Sequence, residues 1–359
     1  MHWLLKFFGI LIAIIFISGS LFLLIFTRGS FFPHTDAIEP EEGRQPVAEL
    51  TTVTLGGFEQ HLLLRGHDDT KPVLLWLHGG PGTPQMPFAH AFGRELEEHF
   101  IVVHWDQRGA GKSNTADFDE ASLTFEQQTA DALELVHWLR ERFGQDRIFL
   151  LGHSWGTRVG IALAAEHPEL FYAWIGVSQV VDHGRATVMA RDWLERRISL
   201  EERWTLGEIK IPAMQHDDYR RLAKIVERRG GGTDLPVSEL IRIALRAPEY
   251  SMRDNLQLLT GMNRGGKPMH AQGIIKPYNL TEQIASLDIP AWFLNGRNDF
   301  NTPAALVREF YEQLEAPLKR YIIFPQAHTP FFASPELFVT TLIEMQAEVL
   351  AYHAEEGEP

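Results

Sequence analysis

The 359-residue chain contains no cysteine. That absence removes disulfides, thiolate metal sites and cysteine nucleophiles together, and it leaves the redox compartment undetermined. Basic residues are scarce: 33 Lys and Arg stand against 47 Asp and Glu, a formal charge of −14. Phosphate binding needs a basic footprint, so nucleic acid is excluded as a partner. The phosphate-cradling pattern G-x-x-x-x-G-K-[ST] is missing, which excludes a nucleotide loop of that type. Internal repeats, low-complexity segments and long runs of like charge are missing too, apart from the acidic end from Glu355 to Pro359. What remains is ordinary for a chain that buries a sizeable core, with 45% apolar and 22% charged residues. At this length one domain carrying an insertion is the expected plan.

Long apolar runs are rare as well, and the exception lies at the amino terminus. Phe7 to Phe26 carries no charge and is mostly Ile, Leu and Phe. A bilayer core is matched by roughly 20 apolar residues in a helix, whereas a signal peptide carries a shorter apolar stretch of about 7–15. A small-residue cut site exists only at Ser18-Gly19-Ser20, and cleavage there would leave Leu21 to Phe26 as an apolar stub. Residues 1–28 are therefore expected to form an N-terminal transmembrane helix, making the membrane a partner. Lys6 on one side is nearly balanced by Arg28 and Arg44 on the other, and the short leading tail points to a catalytic domain on the extracytoplasmic side. Residues 29–47, rich in Pro, Glu and Gly, read as a linker.

After the linker, strand-like and helix-like segments alternate. Glu49–Leu55 and Phe58–Leu64 predict a hairpin around Gly56-Gly57. Pro72–His78, Phe100–Trp105, Arg147–Gly152, Phe171–Val181, Ala291–Asn295 and Tyr321–Phe324 are short apolar runs of the kind buried on both faces of a sheet. Thr124–Phe143 and Glu336–Tyr352 show helical spacing. This alternation predicts an α/β fold with a mostly parallel sheet, helices on both faces. The core is expected in two parts, residues 48–181 and 276–359. Residues 182–275 break the rhythm. They are helix-rich and charged, and they read as a helical cap over the carboxyl edge of the sheet, where open α/β sheets bind ligands.

The chemistry starts from Gly152-His153-Ser154-Trp155-Gly156, a G-x-S-x-G pattern between a predicted strand and a predicted helix. A strand that turns sharply into a helix strains its nucleophile, and small residues two before and two after relieve the crowding. A serine nucleophile needs a base, and the base an orienting acid. In the order that such folds use, Asp299 follows the strand AWFLNG and His328 follows the strand YIIF, each at the sheet edge that holds Ser154. Asp182 is the alternative acid, and His78, His153 and His183 also lie near strand ends. A tetrahedral intermediate needs two preorganised donors. Trp155 is expected to supply one and Gly80, in His78-Gly79-Gly80-Pro81-Gly82, the other, with Gly79 as the alternative and a candidate substrate contact. Such chemistry requires no metal and no organic cofactor.

With those residues in place, the chain resembles the proline iminopeptidase branch of the α/β-hydrolases, an eight-stranded fold. The resemblance rests on His78-Gly79-Gly80-Pro81-Gly82, on Asp106-Gln107-Arg108-Gly109-Ala110-Gly111-Lys112-Ser113 and on Ser154-Trp155-Gly156-Thr157. It covers roughly residues 48–181 and 276–350. It implies the catalytic roles above and suggests release of an N-terminal residue, often proline, from a peptide. It also implies that cap glutamates hold the substrate's free amine, and Glu249 in Pro248-Glu249-Tyr250 is the candidate. His153 departs from the glycine usual in those peptidases, and Gly-His-Ser-Trp-Gly is common among esterases and lipid hydrolases. An ester hydrolase on the same triad is therefore the alternative, and an inactive membrane-tethered binding module is the remote one. Epoxide hydrolases and dehalogenases use an aspartate nucleophile, so Ser154 argues against both. Nothing in the sequence bears on oligomeric state.

Overall fold

The computed structural model describes residues 2–26, 32–115, 119–210, 216–271 and 278–357. Eight strands form one sheet: β1 (Val47–Leu55), β2 (Phe58–Gly66), β3 (Val73–Leu77), β4 (Ile101–Asp106), β5 (Ile148–His153), β6 (Phe171–Val177), β7 (Ala291–Gly296) and β8 (Lys319–Phe324). Their order across the sheet is β1-β2-β4-β3-β5-β6-β7-β8. The β1–β2 and β2–β4 pairs are antiparallel, and every later pair is parallel. Pairs such as Leu74↔Phe149 and Leu75↔Leu150 bring the apolar runs of β3 and β5 side by side.

Side chains alternate across a strand, and the core divides accordingly. Leu75 and Leu77 join a cluster with Leu135 and Leu139 of α2 (Phe125–Phe143) and Val159 and Leu163 of α3 (Trp155–Glu166). Leu74 and Trp76 point the other way, onto Phe338, Leu342 and Met345 of the closing helix, Pro335–Glu355. The α2 helix begins where Thr124 accepts a hydrogen bond from the Gln127 amide and ends on left-handed Gly144. Both are favoured terminators, because they satisfy backbone groups that the helix leaves open.

Between β6 and β7 the described chain is helical: α4 (His183–Glu195), α5 (Leu200–Glu208), α6 (His216–Arg228), α7 (Val237–Ala244), α8 (Met252–Ala271) and the single turn α9 (Leu280–Gln283). The first three enclose a small core of their own, including Leu194, Leu206, Leu222 and Val226. Trp193 stacks on Phe300 with ring centroids 4.2 Å apart, tying this layer to the loop after β7. The remaining helices are α10 (Ala304–Gln313), α11 (Pro330–Ala333) and the closing helix, α12.

The amino-terminal expectation needs correction. A helix, α1 (His2–Phe26), is present, but among the described residues no helix is long and apolar enough to cross a membrane. A bilayer core asks for roughly 20 apolar residues. The expected transmembrane helix, the membrane as its partner and the extracytoplasmic placement are all withdrawn.

Candidate active site

Ser154 sits between β5 and α3 with φ +51° and ψ −116°. A non-glycine residue with positive φ is strained by roughly 1–3 kcal/mol and persists only where its surroundings hold it. Those surroundings are visible. The Ser154 amide donates to the Val177 carbonyl at 3.0 Å, and a Cβ on Gly156 would stand 2.3 Å from the Leu77 carbonyl oxygen. The glycine of the motif is there because two backbones meet.

The sheet edge brings three side chains into line. His328 Nε2 lies 2.9 Å from Ser154 Oγ. His328 Nδ1 lies 2.8 Å from Asp299 Oδ2. Asp299 also accepts from the Thr302 hydroxyl at 2.6 Å and from the Asn301 and Thr302 amides at 2.8 and 2.9 Å. Burial alone would raise the Asp299 carboxyl. The charge of His328 and these hydrogen bonds outweigh it and hold the carboxyl below its ordinary value. Burial likewise works against the His328 cation, but the adjacent Asp299 carboxylate, with smaller help from Glu227 and Asp234, turns the net shift upward. The alternative acid, Asp182, is engaged elsewhere: its side chain accepts from the Arg185 amide and caps α4.

Gly80, with φ +122°, and Trp155 flank Ser154 in the wall of one open cavity. Positive φ is native to glycine, and Trp155, the first residue of α3, has an N–H that the helix itself does not use. Gly79 packs behind them, where a Cβ would meet the His153 ring at 2.9 Å. Asp182, His183 and Ala186 of the inserted segment also line the cavity, with Tyr219, the loop residues Asn301, Thr302 and Pro303, and Leu306 of α10.

Glu249 is placed elsewhere. It does not line this cavity. Its buried carboxyl faces Thr35 Oγ1 at 3.4 Å and Arg94 at 4.0 Å, and burial pushes it above the ordinary carboxylate range. Among the described residues one group, Glu41, His67 and Glu98, brings possible metal ligands within 4.8 Å of one another. Arg44 already pairs with both carboxylates, at 2.8 Å from Glu41 and 3.5 Å from Glu98.

Several supporting residues escaped sequence reasoning. His153 Nε2 and the Ser178 hydroxyl both approach the His328 carbonyl oxygen, at 3.0 and 2.9 Å. His78 Nε2 accepts from the Gln107 amide at 3.2 Å, and the Gln107 side chain donates to the His78 carbonyl at 3.2 Å. Burial holds His78 near 4 and His153 near 3, so both are neutral struts. The inserted segment contributes too. The Gly231 and Gly232 carbonyls accept from the Phe300 and His328 amides, each at 2.9 Å, and Asp234 accepts from the Ala327 amide at 2.8 Å. The nearness of His78 and His153 to strand ends was legible in the sequence; the partners of these residues were not.

A doubly covered sheet, a serine on a strained strand-to-helix turn and a histidine–carboxylate pair beside it define a hydrolase of the α/β type. The sequence pattern of the alpha/beta hydrolase fold matches residues 72–206. A probable aminopeptidase of Bacillus subtilis is 32% identical over 310 residues, covering 83% of this chain and 96% of that protein. A proline iminopeptidase of Lactobacillus delbrueckii subsp. lactis is 28% identical over 300 residues, covering 77% and 90%. Among solved structures, a proline iminopeptidase of Mycobacterium smegmatis superimposes with a TM-score of 0.62 at 22% identity, covering 85% of this chain and all of that one. At that identity the likeness shows the fold alone. The chain belongs to the α/β-hydrolase family, and within it resembles the proline iminopeptidases.

Proposed function

We propose that this hydrolase cleaves an amide or ester bond through Ser154, His328 and Asp299 by way of an acyl-enzyme, and that its substrates are those of an aminopeptidase of proline iminopeptidase type. The observation that carries the reading is the continuous hydrogen-bonded line from Ser154 Oγ through His328 to Asp299. In this scheme His328 takes the serine proton as Oγ attacks the acyl carbonyl. The oxyanion forms toward the Trp155 and Gly80 amides, where preorganised donors contribute most. His328 then returns the proton to the leaving amine or alcohol, and water enters by the same route in reverse.

The aminopeptidase preference draws on the Bacillus subtilis relative and the Lactobacillus iminopeptidase. The core–insertion division at about residues 182 and 275 belongs to the same proposal, with the inserted helices forming one wall of the substrate cavity. Wild-type protein and Ser154→Ala are to be compared on prolyl and alanyl arylamides and on short-chain p-nitrophenyl esters. Loss of a nucleophilic serine costs about a million-fold in kcat, so arylamide turnover by the wild type alone is the expected result. Ester turnover alone would move the assignment to an esterase. Equal inertness of both proteins, with no fluorophosphonate labelling of Ser154, would overturn the reading.

A further inference from the structure

The cavity beside Ser154 contains a cation that the acyl-transfer scheme does not use. Arg158 lies one turn into α3 from the serine and lines the same cavity. Ser154, the residue before the helix, and Arg158 both line this cavity, which places the side chain on the side of the reacting centre. The residue is only 9% exposed. Its guanidinium stands over the Tyr278 ring at 3.9 Å and beside the Trp155 and Phe125 rings at 5.2 and 5.4 Å. Three aromatic rings and a hydrogen bond to Tyr278 hold its orientation, and cation–π contact stabilises the charge that burial penalises.

The other titratable residues of the wall sharpen the point. His183 is held near 4 by burial and by the charge of Arg158, so it is neutral at physiological pH. Asp182 caps α4. Among the described residues that line the cavity, Arg158 is thus the one cation at neutral pH. The chain as a whole carries a formal charge of −14, which repels an anion at long range, but salt screens that field beyond roughly 8 Å. An anionic group inside the cavity is therefore governed by the near charges, attracted where it meets Arg158 and repelled where it meets the Asp182 carboxylate of the same wall.

We propose that Arg158 determines specificity by receiving a substrate carboxylate placed within about one residue of the scissile carbonyl. The proposal rests on the acyl-transfer reading of this cavity and gives it a substrate class: short peptides or esters with a carboxylate beside the reacting bond. Geometry permits the match. One helical turn rises about 5.4 Å and one extended residue reaches about 3.6 Å, a gap that a long arginine side chain bridges. A guanidinium presents its donors as a fork that fits a carboxylate bidentately, which a lysine ammonium does not. The carboxylate has two sources, the free C-terminus of a dipeptide and an acidic side chain on the leaving residue.

The test compares kcat/KM for wild type, Arg158→Gln and Arg158→Lys on three substrates that share one acyl residue: alanyl-alanine, alanyl-alaninamide and alanyl-aspartic acid α-amide. For a chain that cleaves only esters, the butyryl esters of glycolic acid and of glycolamide make the same comparison, with the carboxylate on the leaving group. We expect wild type to favour a carboxylate member over its neutral counterpart at least tenfold. Arg158→Gln should cut that ratio tenfold or more, chiefly through KM, and Arg158→Lys should retain part of it. Preference for the free dipeptide assigns the terminal carboxylate; preference for the aspartyl amide assigns the side chain. A ratio near one in wild type overturns the proposal, as does a glutamine variant that loses activity equally on charged and neutral members, because then the aromatic cradle only holds the helix. Inertness of the wild type throughout, with no fluorophosphonate label on Ser154, overturns the acyl-transfer reading and this proposal with it, whereas a labelled, active enzyme with no charge preference overturns this proposal alone.

Discussion

At the scale of single residues, two charges decide what His328 can do. In the proposed scheme its imidazole must be neutral to take a proton, and Asp299 holds it above the ordinary histidine value against the opposing effect of burial. The acid limb of kcat/KM should therefore have its midpoint above about 6.5, with activity falling as pH drops through it. In Asp299→Asn the carboxylate charge is gone, so the limb should move to lower pH. The rate should fall by about ten-thousand-fold, as when an analogous aspartate is amidated in a protease triad. A pH–rate profile of the two proteins checks both the shift and its sign. An unmoved limb would mean that Asp299 is not the group that raises His328.

Elements matter at the next scale through their close approaches. The proposed site joins the loops after β3, β5, β7 and β8, and the last three are anchored to a neighbour by backbone, through Ser154 to Val177, Asn298 to Gln326 and His328 to Gly232. Gly296, the last residue of β7, leaves so little room that a Cβ would stand 1.8 Å from the Ala327 carbonyl oxygen. Gly296→Ala must displace the loop carrying His328. A shift of about 1 Å at a catalytic group costs on the order of a hundred-fold in rate. Arylamide or ester turnover of this variant, with far-UV circular dichroism to verify folding, would show a loss well beyond any fall in stability.

The hairpin depends on a different device. Asp131 of α2, fully buried, accepts from Arg108 Nε at 2.7 Å and from Gln60 Nε2 at 2.7 Å, while Arg108 also donates to the Leu55 carbonyl at 2.9 Å. Asp131→Ala leaves the arginine buried without its counter-charge, a loss of about 3–5 kcal/mol. Urea unfolding should show it as a lower midpoint at unchanged slope.

For the whole molecule, the junction between sheet and inserted helices is sensitive to pH. Asp106, at the end of β4, accepts from the Tyr250 hydroxyl and, at 2.8 Å, from the Lys112 amide; Lys112 in turn pairs with Asp254 at 2.7 Å. Burial, only partly opposed by Tyr250 and Lys112, raises the Asp106 carboxyl from 3.8 to about 7. A folded-state value above the unfolded one means that the native chain keeps a proton which the unfolded chain has lost. This group's contribution is therefore greatest below about pH 4 and is lost as pH rises to about 7. At about 1.4 kcal/mol per pH unit the loss is at most about 4 kcal/mol. Asp106→Asn stays neutral and should lack this decline. Urea midpoints of both proteins at pH 5 and pH 8 measure it, and parallel pH dependences would refute it.

Most of the architecture was legible in the sequence, because strands buried on both faces must be continuous apolar runs and a nucleophile on a tight turn must have glycines around it. Residues 147–152 and 291–295 were readable for the first reason, and Gly152 and Gly156 for the second. Ser154, Asp299 and His328 were candidates from order and placement alone, and only the fold could bring His328 Nε2 to 2.9 Å from the serine. The apolar amino terminus was legible as a helix, but its composition overstated what that helix is. Long-range pairing was invisible: Glu249 turns toward Thr35 and Arg94 instead of the cavity, and Arg158, an unremarkable helix residue in the sequence, enters the wall beside Ser154. Local pattern determines what a segment becomes, since burial and turn chemistry act over a few residues. Which charge faces which cavity is decided by packing between distant segments, and that only the tertiary structure contains.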